Sequence, residues 1–381
     1  MVNCNSLLKF GKELGGVLCI TEGFSLECES ECSSACPVFS ALSSYEGENE
    51  PKIKFELKVN GEEKPIYLSH SYRIGKPYEY TRQSWRVPPV FLPELKLALH
   101  IDVPCGTKLF IRAFGMAEDV PNIEWHGGLR HNAHLGFWGM APDNTMPAFE
   151  LAAACGFPAC IAVPKVTLDG KIVCIHDDTI NRTARDSDGN APSEPIYVWD
   201  KTYDELSGWE YGSYINGIYK GTRLPLLSDF FDLCKKTGMR PMFSTHPGLT
   251  VEQWKEVKEM LSVRGLLKQF HIKSFGIDIL KTAYSVFGSE IEGYTFDVGS
   301  WKDSHIDTLL SSGIDKDACR VGIEVQFSEY TEQIASAIRA AGFFASAWNV
   351  KRRDFSEYEK LSSWGVTEFT EDYHCSMGLN Y

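Results

Sequence analysis

Two patterns of apolar and polar positions succeed each other along the 381 residues. From about residue 15 to 118 the period is two. Lys52-Ile-Lys-Phe-Glu-Leu-Lys-Val puts every second residue on one apolar face, as a half-buried strand requires, and Asn60-Gly61 then supplies a hairpin turn. Leu97-Ala-Leu-His-Ile-Asp-Val and Lys108-Leu-Phe-Ile-Arg-Ala-Phe, on either side of Pro104-Cys-Gly-Thr, predict two more antiparallel strands. The segment as a whole predicts a β-sandwich. Tyr72, Tyr78, Tyr80 and Trp85 would serve it either as core and cross-strand partners or as a ligand-binding face. Ala117-Glu-Asp-Val-Pro-Asn, polar and containing Pro121, predicts a linker.

Beyond it, short apolar runs alternate with helical periodicity, the pattern of βα units around a parallel sheet. The first helix starts near Asp143-Asn144-Thr145, with Asn144 as its N-cap and Phe149, Leu151 and Ala152 to Ala154 as its apolar face. A strand follows at Cys160 to Val166. Helices at Leu226 to Thr237, Val251 to Val263 and Asp278 to Val286 alternate with strands at Arg240 to Ser244, Phe270 to Ile272 and Tyr294 to Phe296. A strand at Val321 to Val325, a helix at Tyr330 to Ala341, a strand at Phe343 to Trp348, a helix at Ser356 to Trp364 and a strand at Glu368 to Thr370 complete the series. The expected fold is α/β: a (β/α)₈ TIM barrel over residues 119–381, preceded by a smaller all-β, sandwich-like domain over residues 1–118.

Composition narrows the partners. A net charge of -13, with no basic run interleaved with aromatics, argues against a nucleic-acid partner, so an anionic ligand would need local basic groups. No apolar run reaches the length of a membrane span. The start, Met1-Val-Asn-Cys-Asn-Ser-Leu-Leu-Lys, lacks the apolar core and small-residue cleavage site of a secretory signal, so the cytoplasm is the expected compartment, although a processed secreted chain would share this start. Twelve cysteines are too sparse for a disulfide scaffold. Cys28, Cys32 and Cys36 recur every fourth residue, as a metal or disulfide cluster or as one face of a short helix.

The chemistry concentrates in His134-Leu-Gly-Phe-Trp-Gly-Met-Ala-Pro-Asp-Asn-Thr, followed by Leu168-Asp-Gly and Ile175-His-Asp-Asp-Thr-Ile-Asn-Arg-Thr. With Arg223-Leu-Pro-Leu-Leu-Ser-Asp, Ala347-Trp-Asn-Val and Gly365-Val-Thr-Glu-Phe-Thr-Glu-Asp-Tyr, this chain resembles the glycerophosphodiester phosphodiesterases from about Trp125 to its end. The resemblance implies a barrel whose two histidines, here His134 and His176, share general acid and base work at phosphorus. An imidazole titrates near neutrality and suits both roles.

The resemblance also implies a divalent metal such as Ca or Mg, and there this chain departs from the pattern. The positions of the family's carboxylate ligands fall at Ile161, Val163 and Ser244, and the arginine after the first histidine is Leu135. No metal ligand set is therefore expected. Lys165, by strand alternation on the same side as Ile161 and Val163, is either a cationic stand-in for the metal or a solvated lysine at a strand end, and His246 takes the place of a family lysine. Asp297, Glu324, Gln326, Trp348, Asn349 and Glu371 fall at predicted strand ends, the functional rim of such a barrel. Lys165, His246, Glu324 and Trp348 are the candidate substrate-binding residues.

The expected activity is hydrolysis of a glycerol- or sugar-linked phosphodiester by His134 and His176 without the metal. Two alternatives stand beside it: a catalytically retired barrel that binds a phosphorylated or carbohydrate ligand, and acid/base work by Glu324 and Asp297 on a glycosidic bond.

Overall fold

The computed structural model describes residues 11–14, 17–28, 36–59, 67–68, 71–86, 95–119, 129–138, 141–215, 217–350 and 360–371. Asn60-Gly61, Cys32 and the segment from Ser356 to Glu359 lie outside these residues. The chain forms two compact units, one holding the described residues up to 119 and the other those from 129 onward.

The first unit contains two sheets. One joins Lys12–Leu14, Val17–Ile20, Lys108–Asp119 and Cys36–Glu46, with Thr81–Arg86 and Lys76–Pro77 also on the last. The other joins Phe24–Cys28, Leu95–Asp102 and Lys52–Val59, with Tyr67–Leu68 and Tyr72–Arg73 on the last. The alternation in Lys52–Val59 has its predicted effect: Ile53, Phe55 and Leu57 are buried, facing Ile101, Leu99 and Leu97 in register. Phe55 meets Phe39 and Trp85 of the other sheet at ring-centroid distances of 5.0 and 6.3 Å, so the two sheets share one aromatic core. Trp85 therefore packs inward. Tyr80 lies under Arg112 at 3.9 Å, and Tyr78 is exposed.

Two expectations need correction. The strands flanking Pro104 do not pair with each other, because Leu95–Asp102 and Lys108–Asp119 belong to different sheets and the turn between them is a corner. Both strands carry inward apolar residues, which two facing sheets bury better than one hairpin does. The predicted linker is also partly strand, since Ala117 to Asp119 pair with Cys36 to Val38.

In the second unit eight parallel strands close into a barrel. They are β1 (Arg130–Ala133), β2 (Ala159–Ala162), β3 (Arg240–Ser244), β4 (His271–Ser274), β5 (Gly293–Val298), β6 (Arg320–Gln326), β7 (Phe344–Val350) and β8 (Val366–Glu371). β2, β4 and β5 are buried at every residue, as strands covered on both faces must be. Outside lie helices including Met146–Ala154, Leu227–Thr237, Val251–Ser262, Ile277–Phe287 and Glu332–Ala340. Phe230, Phe231, Phe243, Trp254, Phe270 and Phe287 form the aromatic packing between helices and β3–β4. The N-terminal base of the barrel is charged inside. Glu292 accepts from Arg130 and Arg240, and Glu368 accepts from Arg320 and, at 2.7 Å, from Asn132.

Between β2 and β3 the chain leaves the barrel. Pro164–Val166 pairs antiparallel with Ile172–Cys174 through a turn at Asp169-Gly170, and residues up to 226 wrap a core of their own around Val173, Ile180, Val198, Leu206 and Tyr211.

Candidate active site

His134 follows β1 directly. Its backbone N–H donates to the Glu371 carbonyl at 2.9 Å, which ties it to the end of β8, and its ring stands edge-on to Trp138 at 6.1 Å. The chain then turns sharply, with Leu135 at φ 55° and Gly136 at φ 81°. A Cβ at Gly136 would lie 2.6 Å from the Ala148 Cβ and 2.7 Å from the Ala148 carbonyl carbon, so the turn presses onto the Met146–Ala154 helix. Gly136→Ala is expected to destabilise the barrel by about 1–3 kcal/mol, read as a lower urea midpoint of its unfolding transition at unchanged slope.

Asn144 does not cap that helix; Thr145 occupies the N-cap position. Asn144 is buried at φ 54°, and its Oδ1 accepts from the Val163 N–H at 2.9 Å, bracing the loop after β1 against the end of β2. Asparagine tolerates the left-handed region and offers this acceptor, so the residue type that predicts a cap serves a strut instead.

His176 sits on the excursion, at the end of the hairpin. Its Nδ1 lies 2.7 Å from Asp177 Oδ1, and Asp177 also accepts from Arg182 Nε at 2.6 Å. Arg182 reaches on to Asp143 with both terminal nitrogens, at 2.9 and 3.0 Å, and the Tyr214 hydroxyl donates to the same carboxylate. The His176 contact, reinforced by Arg182 against the cost of burial, holds the Asp177 carboxyl far below its usual range. Burial would raise Asp143, but Arg182 and Tyr214 outweigh it and leave that group low as well. Both carboxylates are ionised at neutral pH.

The two histidines line one cavity of about 260 Å³ at the C-terminal mouth of the barrel. Leu135, Val163, Ser244, Lys273, Phe275, Asp297, Glu324, Trp348 and Thr370 complete its wall, so every barrel strand contributes from its end or the loop after it. Lys273 on β4 donates to Glu324 Oε2, and to Thr370 Oγ1 at 3.0 Å. Glu324 Oε1 accepts from Ser346 at 2.8 Å and from Thr370 at 2.7 Å, while Asp297 Oδ1 stands 3.8 Å from the ammonium. Burial alone would lower Lys273, but Asp297 and Glu324 raise it above its ordinary value. Burial and the neighbouring Glu324 push Asp297 well above the usual carboxylate range, against the pull of the Lys273 ammonium.

Of the candidates drawn from sequence, His134, His176, Glu324, Trp348 and Asp297 meet at this cavity. Lys165 does not line it. β2 ends at Ala162 and Pro164 starts the outward hairpin, so strand alternation no longer relates Lys165 to Ile161. Its ammonium donates instead to Asp178 Oδ1 and to the His246 carbonyl, each at 2.5 Å. His246 lies exposed beyond β3, also outside the lining. Gln326 is half-buried outside the lining, and Glu371 turns to buried His131. Lys273 escaped sequence reading because β4 runs two residues past Ile272. The signal was the alternation of His271 and Lys273 with the apolar Phe270 and Ile272.

The residues present do not fit the metal that the resemblance implies. Ile161 is buried against Ala159 and Met242, Val163 offers the cavity only methyl groups, and Ser244 is a neutral oxygen. Among the described residues no three His, Cys, Asp or Glu side chains gather as a ligand set. The cavity's carboxylates, Glu324 and Asp297, face an ammonium in place of a metal.

Residues 134–373 match the glycerophosphoryl diester phosphodiesterase family. A glycerophosphodiester phosphodiesterase of Bacillus altitudinis is 27% identical over 220 residues, 55% of this chain and 80% of that protein. Bacillus subtilis YhdW is 31% identical over 149 residues, 37% of this chain and only 57% of YhdW. Among solved structures, an Oleispira antarctica phosphodiesterase in complex with the product sn-glycerol-3-phosphate superposes with a TM-score of 0.55 at 23% identity, over 64% of this chain and 93% of that one. That likeness speaks for the fold. No described helix is long and apolar enough to cross a membrane.

Proposed function

The chain belongs to the glycerophosphoryl diester phosphodiesterase family, and from that premise we propose that it hydrolyses a glycerol- or sugar-linked phosphodiester with His134 and His176 as its acid/base pair, without a divalent metal. The observation that carries this reading is the placement of both imidazoles on one cavity at the catalytic end of a barrel. The ionised Asp177 carboxylate accepts from Nδ1–H of His176, which leaves Nε2 as the basic nitrogen. His176 would thus take the proton of the attacking hydroxyl, and His134, protonated, would return one to the departing alkoxide. Protonated His134 also sets a positive charge beside the non-bridging oxygens, a task that a metal would otherwise perform.

The Oleispira structure, which holds glycerol phosphate as product, supports the substrate class. The apolar Ile161 and Val163 support metal independence. The test is hydrolysis of a glycerophosphodiester and of bis(4-nitrophenyl) phosphate by the purified protein with excess chelator. Turnover at the rate seen without chelator is expected; activity that chelation abolishes and calcium or magnesium restores would overturn the metal-free reading. Loss of the arginine position to Leu135 favours the second reading, a barrel that binds such a ligand without cleaving it. Binding of glycerol 3-phosphate with no turnover of either diester would establish that one.

A further inference from the structure

At the end of the barrel opposite the cavity, the charged base holds more positive charge than it uses. Arg130, Arg240 and Arg320 are the first residues of β1, β3 and β6, so all three side chains start from the N-terminal rim. Two carboxylates face them. Glu292 accepts from Arg130 on one oxygen and from Arg240 on the other, while Glu368 accepts from Arg320 and Asn132. Each of the four carboxylate oxygens thus has its donor, whereas each guanidinium spends one of its five N–H groups and has no other hydrogen bond among the described residues. The charges are as uneven as the bonds: three cations meet two anions. His271, with Nδ1 at 3.6 Å from Glu292 and its basicity lowered by burial, adds no compensating charge. Arg240 registers the surplus, since burial and the nearby Arg130 and Arg320 hold it below its ordinary value against the pull of Glu292 and Glu368. Ion pairing alone does not call for this excess, because a partly buried network gains most when every charge is matched. Nor is the cluster sealed. The side chains of Arg130, Arg320 and Arg240 are 37, 23 and 18% exposed, so an ion can reach them from solvent, in a setting where its attraction is screened less than on an open surface.

We propose that Arg130, Arg240 and Arg320 form a second, non-catalytic anion site at the base of the barrel, which takes a phosphate group, either free or at the end of a monoester. A tetrahedral phosphate presents three or more terminal oxygens to three planar forks that start from different strands, whereas a carboxylate presents only two. The site lies at the other end of the barrel from His134 and His176 and does not depend on the reading that their cavity is catalytic.

Calorimetry with inorganic phosphate at constant ionic strength tests the site in wild type, in Arg130→Gln and in a His134→Ala/His176→Ala double variant. Arg130 is the most exposed of the three arginines, so its exchange disturbs the fold least. Arg130→Lys, which keeps the charge and loses the fork, guards against a misfolded glutamine variant. Arg130→Gln is expected to weaken phosphate binding about tenfold or more, Arg130→Lys to weaken it less, and the histidine variant to retain it. Affinity left unchanged by Arg130→Gln overturns the site, as does a wild type that binds no phosphate. Binding that the histidine variant abolishes also overturns it, because the phosphate would then sit in the cavity. Glycerol 3-phosphate titrated into the histidine variant separates the two sources. Affinity close to that of inorganic phosphate supports a site open to monoesters, and much weaker binding supports one confined to the free ion.

Discussion

His176→Ala is expected to lower kcat for a glycerol-linked phosphodiester by about 10²–10⁴, with KM changed far less. The imidazole stands half-exposed at the cavity mouth, where its removal opens no core, and the carboxylate that orients it is held separately by Arg182. Folding should therefore survive, which makes the loss attributable to chemistry. His134→Ala should fall in the same range, and the double variant should be little worse than the poorer single one, because two groups that move one proton in and one out act as a unit. Asp177→Asn gives the intermediate case. The ring keeps a neighbour of the same shape but loses the ionised acceptor that selects its tautomer, so kcat drops while the affinity for glycerol 3-phosphate holds. Initial rates across a substrate series measure all four; an unaltered rate in His176→Ala would remove the histidine mechanism.

The largest expected effect on stability lies deeper. Glu324→Leu should cost the barrel about 3–5 kcal/mol, because it leaves the Lys273 ammonium buried with its main partner gone and strips Ser346 and Thr370 of their acceptor. Combining it with Lys273→Met should recover much of that loss, since removing both charges takes away the desolvation cost along with the attraction. Chemical denaturation followed on the barrel's own transition is the appropriate measurement, the chain having two compact units that need not unfold together. A single variant within 1 kcal/mol of wild type would mean that the ion pair is held as loosely as a surface pair.

The sequence displayed the fold more fully than the site, for physical reasons. A strand with one face in water writes its burial as alternation, so Lys52–Val59 was legible residue by residue. β4 is buried at every position, so its apolar residues alone do not mark where it ends, and only the alternation of His271 and Lys273 with Phe270 and Ile272 carries it as far as Lys273. Even with the right boundary, the meaning of Lys273 depends on Glu324 and Thr370, which lie on other strands far along the chain. His134 and His176 were legible because each sits in a local motif. Lys165 misled because alternation holds only while a strand continues, and this one stops before Pro164. Asn144 misled in another way: its neighbours along the chain read as a helix start, while its partner, Val163, lies just beyond the end of β2.

The excursion that carries His176 has an apolar core of its own, and Arg182 on it holds Asp177 and Asp143 together. Asp143 follows His134 in the loop after β1. The tie is not Arg182's alone: the Tyr214 hydroxyl, also on the excursion, closes on the same carboxylate, and Asn144 braces the same loop at Val163. The frame that carries the two imidazoles is thus braced more than once, and a single exchange at position 182 should leave it standing. The side chains that brace it lie outside the cavity lining.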